Sequence, residues 1–230
     1  MNGKLYVIEG VDGSGKATQT ELLYQALLAE GKPVRKVSFP DYDSPSSSLI
    51  KMYLNGEFGT DPQSVNAFAT SVFFAVDRFA SFRKDWQEFY QNGGIIIADR
   101  YVTSNLVHQA GKITDAAEKE YYIQWLSDLE YNIFGLPKPD CVIFLDMPPA
   151  YSLKLRQQRG ELKQGLTADI HEADQTYLQN AYQNAIGIAK HQAWHTISCV
   201  ADDKIRTIKE IHAEIVRTIT ESLKADREYT

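Results

Sequence analysis

The sequence has few cysteines, no long apolar segment and no excess of basic charge. Cys141 and Cys199 are the only cysteines among 230 residues. Each lies in a short apolar run, which favours two core side chains in a reducing compartment over a disulfide or a metal site. No run approaches the roughly 20 apolar residues that cross a bilayer, and the start of the chain lacks the pattern of a signal peptide. We therefore expect a cytoplasmic protein without a membrane segment.

The charge balance excludes one broad class of partner. The chain carries 24 Lys and Arg against 30 Asp and Glu, a net charge of −6, and the acidic excess lies entirely in residues 1–150. A nucleic-acid polymer is bound through many basic contacts with its phosphates, so such a partner is disfavoured. Any anion bound by this protein must be held by local groups.

Short apolar runs alternate with segments of helical length along the chain. This alternation predicts an α/β protein with three layers, in which a five-stranded parallel sheet is flanked by helices. The expected buried strands are Leu5–Glu9, Val34–Phe39, Ile95–Asp99, Val142–Asp146 and His195–Cys199. No linker or repeat interrupts the pattern, so residues 1–230 are expected to form a single domain. Ligands of open sheets bind beyond the carboxyl ends of the strands, where the residues after Glu9, Phe39, Asp99 and Asp146 should converge.

Capping signals predict where helices begin. A helix is expected over Thr18–Glu30, another after Asp61-Pro62, and a final one opened by Asp203. In the final helix the inward residues would be Ile205, Ile208, Ile215 and Ile219.

The strongest functional signal is a glycine-rich loop directly after the first strand. It has the G-x-x-x-x-G-K frame of a P-loop, in which backbone N–H groups and a helix N-terminus surround phosphates and the lysine reaches the outer ones. The residues expected to bind ATP are Gly10, Val11, Asp12, Gly13, Ser14, Gly15, Lys16, Ala17 and Thr18.

The loop departs from its motif at one position. Ala17 stands where a Ser or Thr ordinarily contacts Mg²⁺. Because Mg²⁺ keeps several waters, it can be held by the nucleotide, by Thr18 or by a nearby carboxylate. Asp12 and Asp99 are the candidate metal ligands.

Further motifs follow the loop in a characteristic order. EGVDGSGKATQ, FPDY, FFAVDRF, DRYVTSN and RQQRG together resemble the thymidylate kinase family over nearly the full length. The resemblance implies transfer of the γ-phosphoryl group of ATP to dTMP, which gives dTDP and ADP. It also implies a homodimer. Mg²⁺ is the cofactor expected from the P-loop motif.

The resemblance implies roles for individual residues in acceptor binding. Phe74 would stack on the pyrimidine, and Arg78, one helical turn later, would donate to the carbonyl O4. Arg100 would grip the acceptor phosphate. Each has a structural alternative: core packing for Phe74, a salt-bridged surface group for Arg78, and an ordinary strand-end ion pair for Asp99 with Arg100.

The remaining acceptor contacts come from the same motifs. Asn105 is expected near the base edge, His108 near the sugar, Asp12 at the sugar 3′-hydroxyl or a metal-bound water, and Tyr42 at the phosphate. Several relatives have a tyrosine at the position of His108, which leaves the strength of ribose exclusion open. The full substrate-binding set is Asp12, Phe39, Pro40, Tyr42, Phe74, Arg78, Arg100, Tyr101, Ser104, Asn105, His108 and Gln109.

The segment 151–174 is first basic and then acidic, which is typical of a lid that closes over ATP. Gly13 stands where some family members have a catalytic arginine, so the lid is expected to supply this arginine instead. Arg156 and Arg159 share a helical face there. The expected catalytic residues are Lys16, Arg100, Arg156 and Arg159.

Two other functions remain open from the sequence. A deoxynucleoside kinase would need a carboxylate base for the 5′-hydroxyl and would have less use for a phosphate-binding arginine. The substitution at Ala17 also leaves room for an ATP-binding module without catalysis. Acceptance of dUMP beside dTMP stays undecided.

Overall fold

The structure, a computed structural model, describes residues 3–159, 170 and 175–225. No helix in these ranges is long and apolar enough to cross a membrane. The strands are β1 (Lys4–Gly10), β2 (Val34–Ser38), β3 (Ile95–Asp99), β4 (Cys141–Asp146), β5 (His195–Ser198), β6 (Val200–Ala201) and β7 (Lys204–Ile205). The α-helices are α1 (Lys16–Ala29), α2 (Ser48–Leu54), α3 (Ala67–Ser81), α4 (Gln87–Gln91), α5 (Val102–His108), α6 (Ala116–Ser127), α7 (Pro149–Arg159), α8 (Gln175–His191) and α9 (Ile208–Ala225).

The first five strands form one sheet in the order β2-β3-β1-β4-β5. All four pairings are parallel, which confirms the predicted sheet. In the central strand, Val7 lies between Ala98 and Val142. Two strands depart from the prediction of buried runs: β2 and β5 form the edges, and Arg35, Lys36, His195 and Thr196 are exposed. An edge strand has only one neighbour, so solvent reaches it.

Helices cover both faces of the sheet. Successive side chains of a strand point to opposite faces. Accordingly, Leu5 and Val7 belong to the cluster that contains Trp86 and Tyr122. Tyr6 and Ile8 belong to the cluster that contains Leu23 of α1 and Ile215 of α9. Because β1 is buried from both sides, the loop that follows it starts from a rigid base.

Two predicted helix starts are wrong in detail. Asp61 accepts a hydrogen bond from Gln63 N, but it caps only the 3-10 turn Pro62–Ser64. The helix itself begins at Ala67, where the Asn66 side chain accepts from Ala69 N. A proline at the first position suits a short turn as well as a long helix, so the sequence signal did not separate the two.

The final helix begins later than predicted. Asp203 lies between the two short antiparallel strands β6 and β7, with φ of 57°, and Ile205 belongs to β7. The helix starts at Ile208 after a capping box between Thr207 and Glu210. Ile208 is 52% exposed, whereas Ile215 and Ile219 are buried as predicted.

Two long helices widen at their carboxyl ends. α3 continues through a π-helical turn, Phe82–Trp86, into α4, and α6 continues through a second one, Asp128–Ile133. Such turns are uncommon and frequently lie at functional sites. The second turn contains Glu130, whose side chain reaches back to α3.

Candidate active site

A cavity of about 380 Å³ opens at the carboxyl edge of the sheet, between the loop after β1 and the helices α3 and α5. The residues after β1, β2 and β3 converge there as predicted. Asp146 instead accepts a hydrogen bond from Tyr182 of α8, and no described residue that follows β4 lines the cavity. The lining consists of Asp12, Gly13, Gly15, Lys16, Ala17, Thr18, Ser38, Phe39, Pro40, Tyr42, Leu54, Phe74, Arg78, Asp99, Arg100, Tyr101, Ser104, Asn105, His108 and Gln109.

The glycine-rich loop leads into α1 as the motif requires. Gly15 precedes the helix with φ of 94°, a conformation that glycine adopts without strain. Lys16 Nζ donates to Val11 O at 2.9 Å, and burial lowers its pKa to about 8. The hydroxyl of Ser14 is buried without a hydrogen-bond partner among the described residues. Lys16 lines the cavity, so the loop keeps a cation there, as phosphate binding requires.

Gly13 lies against the helix α7. A Cβ at this position, where φ is 77°, would lie 2.9 Å from Cγ of Arg156. The aliphatic part of Arg156 thus occupies the space that a side chain of residue 13 would need, and Arg156 is itself buried. The side chain of Arg159 and most of the predicted lid, residues 160–169 and 171–174, lie outside the described residues.

Arg100 crosses from the end of β3 towards the loop after β1. Its φ of 66° is unusual for a residue other than glycine, and its backbone N–H donates to Ile8 O. The side chain pairs with Asp12 and lies 3.7 Å from Glu9. Burial opposes the charge of Arg100, but the combined effect of Asp12, Glu9 and Asp99 raises its pKa. The guanidinium stays charged and faces the cavity from a fixed position.

Glu9, which the sequence interpretation missed, organises this region. Its carboxylate is fully buried and accepts from Thr103 Oγ1 at 2.8 Å, Ser104 Oγ at 2.7 Å and Gly10 N at 2.9 Å. It thereby ties the phosphate loop to the start of α5. The available signal was a single carboxylate at the end of an apolar strand, where a buried charge requires partners.

Of the two candidate metal ligands, Asp99 has more capacity left, since Asp12 is paired with Arg100. Burial raises its pKa, while Lys16 and Arg100 act in the opposite direction. It lines the cavity, and its side chain accepts no hydrogen bond from a described residue. Mg²⁺ is held by one or two carboxylates together with substrate phosphates and waters, a requirement that Asp99 meets beside the phosphate loop. Among the described residues there is no cluster of three or more metal-ligating side chains.

The opposite end of the cavity holds a buried ion pair. Arg78 is 1% exposed, and its Nε and Nη2 each donate to Glu130 at 2.6 Å. Nη1 lies 3.4 Å from Tyr101 O. Burial opposes the positive charge of Arg78, but the combined effect of Glu130 and the nearby Tyr101 and Tyr131 raises its pKa. Arg78 is therefore salt-bridged, but it is not the surface group of the alternative interpretation, because the pair is buried. Arg78 lines the cavity together with the half-buried Phe74.

Asn105 and Gln109 complete this end. Asn105 Nδ2 lies 3.3 Å from Ser71 O and 3.4 Å from Glu130 Oε1. Gln109 Oε1 is buried without a hydrogen-bond partner among the described residues. Tyr101 lines the cavity too, but its hydroxyl donates to Pro137 O at 3.0 Å. Two polar side chains therefore retain capacity for a ligand, whereas the hydroxyl of Tyr101 is already used.

His108 connects the cavity to the helix α8. Its Nε2 lies 3.2 Å from Arg100 Nη1, and its Nδ1 lies 3.3 Å from the hydroxyl of Tyr177. Because Arg100 only donates, Nε2 must accept, and the proton of the neutral ring is on Nδ1. The sequence interpretation did not identify Tyr177, which lies just beyond the predicted lid and far in sequence from His108.

The turn after β2 is held by another carboxylate that sequence reasoning missed. Asp77 accepts from Asp41 N at 2.9 Å and from Ser46 Oγ at 2.6 Å, and burial raises its pKa. The Phe39-Pro40 peptide bond in this turn is cis. The turn brings Tyr42, which is half exposed, to the rim of the cavity.

Comparison with known proteins gives consistent results. The family model for thymidylate kinase matches residues 8–215. The thymidylate kinase of Mycobacterium tuberculosis strain H37Rv is 33% identical over 171 residues, which cover 74% of this chain and 78% of that protein. The thymidylate kinase of Plasmodium falciparum is 27% identical over 218 residues, covering 95% and 90%.

Solved structures support the fold. The thymidylate kinase of Candida albicans superposes with a TM-score of 0.70 at 23% identity, covering 96% of this chain and 92% of that one. The enzyme from Ehrlichia chaffeensis gives 0.65 at 20% identity, covering 95% and 100%. These neighbours confirm the predicted P-loop kinase fold. The sequence matches confirm the prediction that the protein is a phosphotransferase. The chain belongs to the thymidylate kinase family.

Proposed function

We propose that this protein transfers the γ-phosphoryl group of ATP to dTMP in the cavity described above. The observation that carries the proposal is the polarity of that cavity. Lys16, at the start of α1, and Arg100, paired with Asp12 of the phosphate loop, form one part of the lining. Phe74 and Arg78 on α3, with Arg78 paired to Glu130, form the other part. A nucleoside monophosphate has the same two ends.

At the phosphate end, the reaction requires positioning and charge stabilisation. The acceptor phosphate is ionised near pH 7, since its second pKa is about 6, so no general base is needed. Lys16 binds the outer phosphates of ATP, and Arg100, pre-oriented by Asp12 and His108, holds the acceptor in line. Tyr42 contacts the acceptor phosphate from the rim.

Catalytic arginines from α7 complete the donor side. Arg156 lies directly over Gly13 of the phosphate loop, so its guanidinium is close to where the phosphates bind. We assign Arg156, together with Arg159, to stabilising the transferring group. We propose that residues 151–174 act as a lid within a single domain. In this arrangement an arginine from α7 takes the position that an arginine within the loop would otherwise need.

Mg²⁺ is proposed as cofactor, and Asp99 would be the preferred protein ligand, with Asp12 as the second candidate. When bound, the ion would neutralise charge on the nucleotide phosphates. Asp12 is already paired with Arg100, which is why Asp99 is preferred. Ala17 has no side-chain oxygen, so nucleotide oxygens and water would supply the remaining ligands.

At the base end, Phe74 stacks on the pyrimidine and Arg78 donates to O4. An O4 acceptor is present in thymine and uracil, whereas cytosine has an amino group there and would set donor against donor. His108 lies beside Arg100, where the sugar of a bound nucleotide would pass. These contacts define a pyrimidine site, which is what separates a dTMP kinase from a generic P-loop protein.

We further propose that the protein acts as a homodimer through α3. Val72, Val76 and Phe79 are 36 to 42% exposed and lie one to two helical turns apart on one face. Ile133, in the turn after α6, adds to the exposed apolar surface. A second copy of the chain would bury this stripe. Light scattering would test the interface, and Val76→Lys is expected to give a monomer.

A cytoplasmic location fits both cysteines. Cys141 and Cys199 are buried and unpaired by any disulfide, and burial raises the pKa of each thiol. Such thiols are unreactive core side chains that require no oxidising compartment.

The proposed reaction is tested by ADP formation from ATP and Mg²⁺ with dTMP, dUMP, TMP, dCMP or thymidine as acceptor, against a reaction without acceptor. We expect dTMP to be the best substrate and thymidine to give only background. Turnover with thymidine above dTMP would favour a deoxynucleoside kinase. ATP binding without ADP formation from any acceptor would indicate a non-catalytic module.

A further inference from the structure

Glu130 is a fully buried carboxylate that no sequence motif identified. It lies in the π-helical turn Asp128–Ile133, which displaces it from the regular path of α6. Its two oxygens meet side chains from two other helices, Arg78 of α3 and Asn105 of α5. Both of those residues line the cavity, but Glu130 does not, so any effect on a ligand passes through them.

The contact with Arg78 fixes which edge of the guanidinium faces the ligand. Nε and Nη2 donate to Oε2 and Oε1 of Glu130, each at 2.6 Å. This is the bidentate geometry that holds a guanidinium most firmly. Nη1 donates one N–H to Tyr101 O at 3.4 Å, so its second N–H remains for a ligand. The pocket therefore contains a hydrogen-bond donor in one fixed orientation.

The contact with Asn105 fixes the orientation of an amide. Ser71 O and Glu130 Oε1 both lie beside one end of the side chain, at 3.3 and 3.4 Å. Both are acceptors, so that end must be the NH₂ group. The other end is Oδ1, which receives no hydrogen bond from a described residue. Asn105 thus presents an acceptor to the cavity.

We propose that Glu130 is a positioning residue that sets the hydrogen-bond polarity of the pyrimidine pocket, with Arg78 as the donor and Asn105 as the acceptor. This inference rests on the proposed function. Thymine and uracil offer the complementary pair, an O4 acceptor beside an N3–H donor. Cytosine offers the reverse, an amino donor beside an N3 acceptor, and would meet an unfavourable contact at both positions. One buried carboxylate thereby selects between two classes of pyrimidine without touching either.

Glu130→Gln tests this role. The amide keeps the shape of the side chain but replaces one oxygen by an NH₂ group. In place of Oε2 this group opposes Nε of Arg78, and in place of Oε1 it opposes both Nη2 of Arg78 and the NH₂ of Asn105. We expect the ratio of kcat/KM for dTMP to that for dCMP to fall roughly 10- to 100-fold, because the pocket loses its polarity. The loss should be in KM for dTMP, with kcat within about threefold of wild type, because the phosphate end is unaltered.

The matched control is Glu120→Gln, the same exchange at an exposed position of α6. It should leave the acceptor ratio unchanged. A folded Glu130→Gln protein with the wild-type ratio would overturn the proposal, whatever its KM.

A second measurement does not depend on the folding of that variant. The wild-type protein should reject the N3-methyl derivative of dTMP, which lacks the N3–H donor, and Asn105→Ala should lose most of this discrimination. Equal use of dTMP and its N3-methyl derivative by the wild type would overturn the proposal. Failure of the wild type to phosphorylate dTMP at all would instead contradict the proposed function, so the two failures are distinguishable.

Discussion

The two ends of the cavity each contain an arginine, but the two arginines are held differently. Arg78 is buried, and two of its nitrogens donate hydrogen bonds to Glu130, which is also buried. Arg100 is partly solvated and shares its contacts among Asp12, Glu9 and His108. Asp12 is itself partly exposed. A buried pair cannot exchange partners cheaply, whereas a solvated one can release a carboxylate when a phosphate arrives. The base end is therefore suited to recognising which base is bound, and the phosphate end to binding phosphate and to phosphoryl transfer.

The largest expected effect comes from removing the arginine at the phosphate end. Arg100→Ala should lower kcat with dTMP by about 10³-fold, because one preorganised cation at the developing charge is lost. ATP binding should remain close to wild type, since the phosphate loop is intact. Steady-state kinetics and calorimetric titration with an ATP analogue measure the two quantities. Arg35→Ala, at an exposed position of β2, is the control for losing a guanidinium.

Equal losses of turnover and ATP affinity in Arg100→Ala would remove its assignment to the acceptor. The comparison between the two ends would then fail at its first step.

Removing the arginine at the base end should act first on stability. Arg78→Met leaves the Glu130 carboxylate buried without its cation, which costs about 3 to 5 kcal/mol of unfolding free energy. The double variant Arg78→Met/Glu130→Leu should regain much of that loss, because neither charge remains. Urea denaturation monitored by circular dichroism measures both. A single variant as stable as wild type would show that the pair is not desolvated.

These expectations show how far the sequence alone led. The loop from Gly10 to Thr18 and the parallel sheet were predictable because spacing and apolar runs encode them locally. Arg78 and Arg100 were identified as candidate residues, but not their partners. Glu9, Glu130 and Tyr177 became visible only in three dimensions, since each acts across helices or strands far apart in sequence.

The wrong start predicted for the last helix also has a physical cause. Asp203 carries an ordinary helix-start signal, yet the chain forms the short β6–β7 pair before α9 begins at Ile208. Residues of Asp and Asn type favour turns and caps alike. The capping box of Thr207 and Glu210 was the stronger signal, because it satisfies two backbone donors at once.

Measuring ATP affinity against pH would distinguish the contribution of Lys16 from that of Arg100, because Lys16 loses its charge at a lower pH. Burial lowers the pKa of Lys16 to about 8, so the free protein loses this charge as the pH rises through that value, while Arg100 keeps its own. A bound triphosphate favours the charged lysine. Affinity for an ATP analogue should therefore weaken above pH 8, approaching tenfold per pH unit, and Lys16→Met should bind weakly at every pH. Constant wild-type affinity between pH 7 and 9.5 would contradict the expectation.

The smallest effect is expected at Ala17. Ala17→Ser restores the hydroxyl that the motif places on Mg²⁺, but Asp99, nucleotide oxygens and water already suffice in this account. We expect kcat/KM to stay within about twofold to threefold of wild type when Mg²⁺ is saturating. A larger gain, measured across a Mg²⁺ titration, would show that the natural loop limits metal binding.

The division of labour between the two ends is tested most directly by the affinities of Arg100→Ala for dTMP and thymidine, measured by calorimetry beside the wild type. Thymidine has the base but lacks the phosphate. We expect Arg100→Ala to bind thymidine as well as wild type does, while its affinity for dTMP falls towards that for thymidine, because Tyr42 alone still contacts the phosphate from the rim. Equal weakening towards both ligands would contradict this expectation, because Arg100 would then support the base end as well.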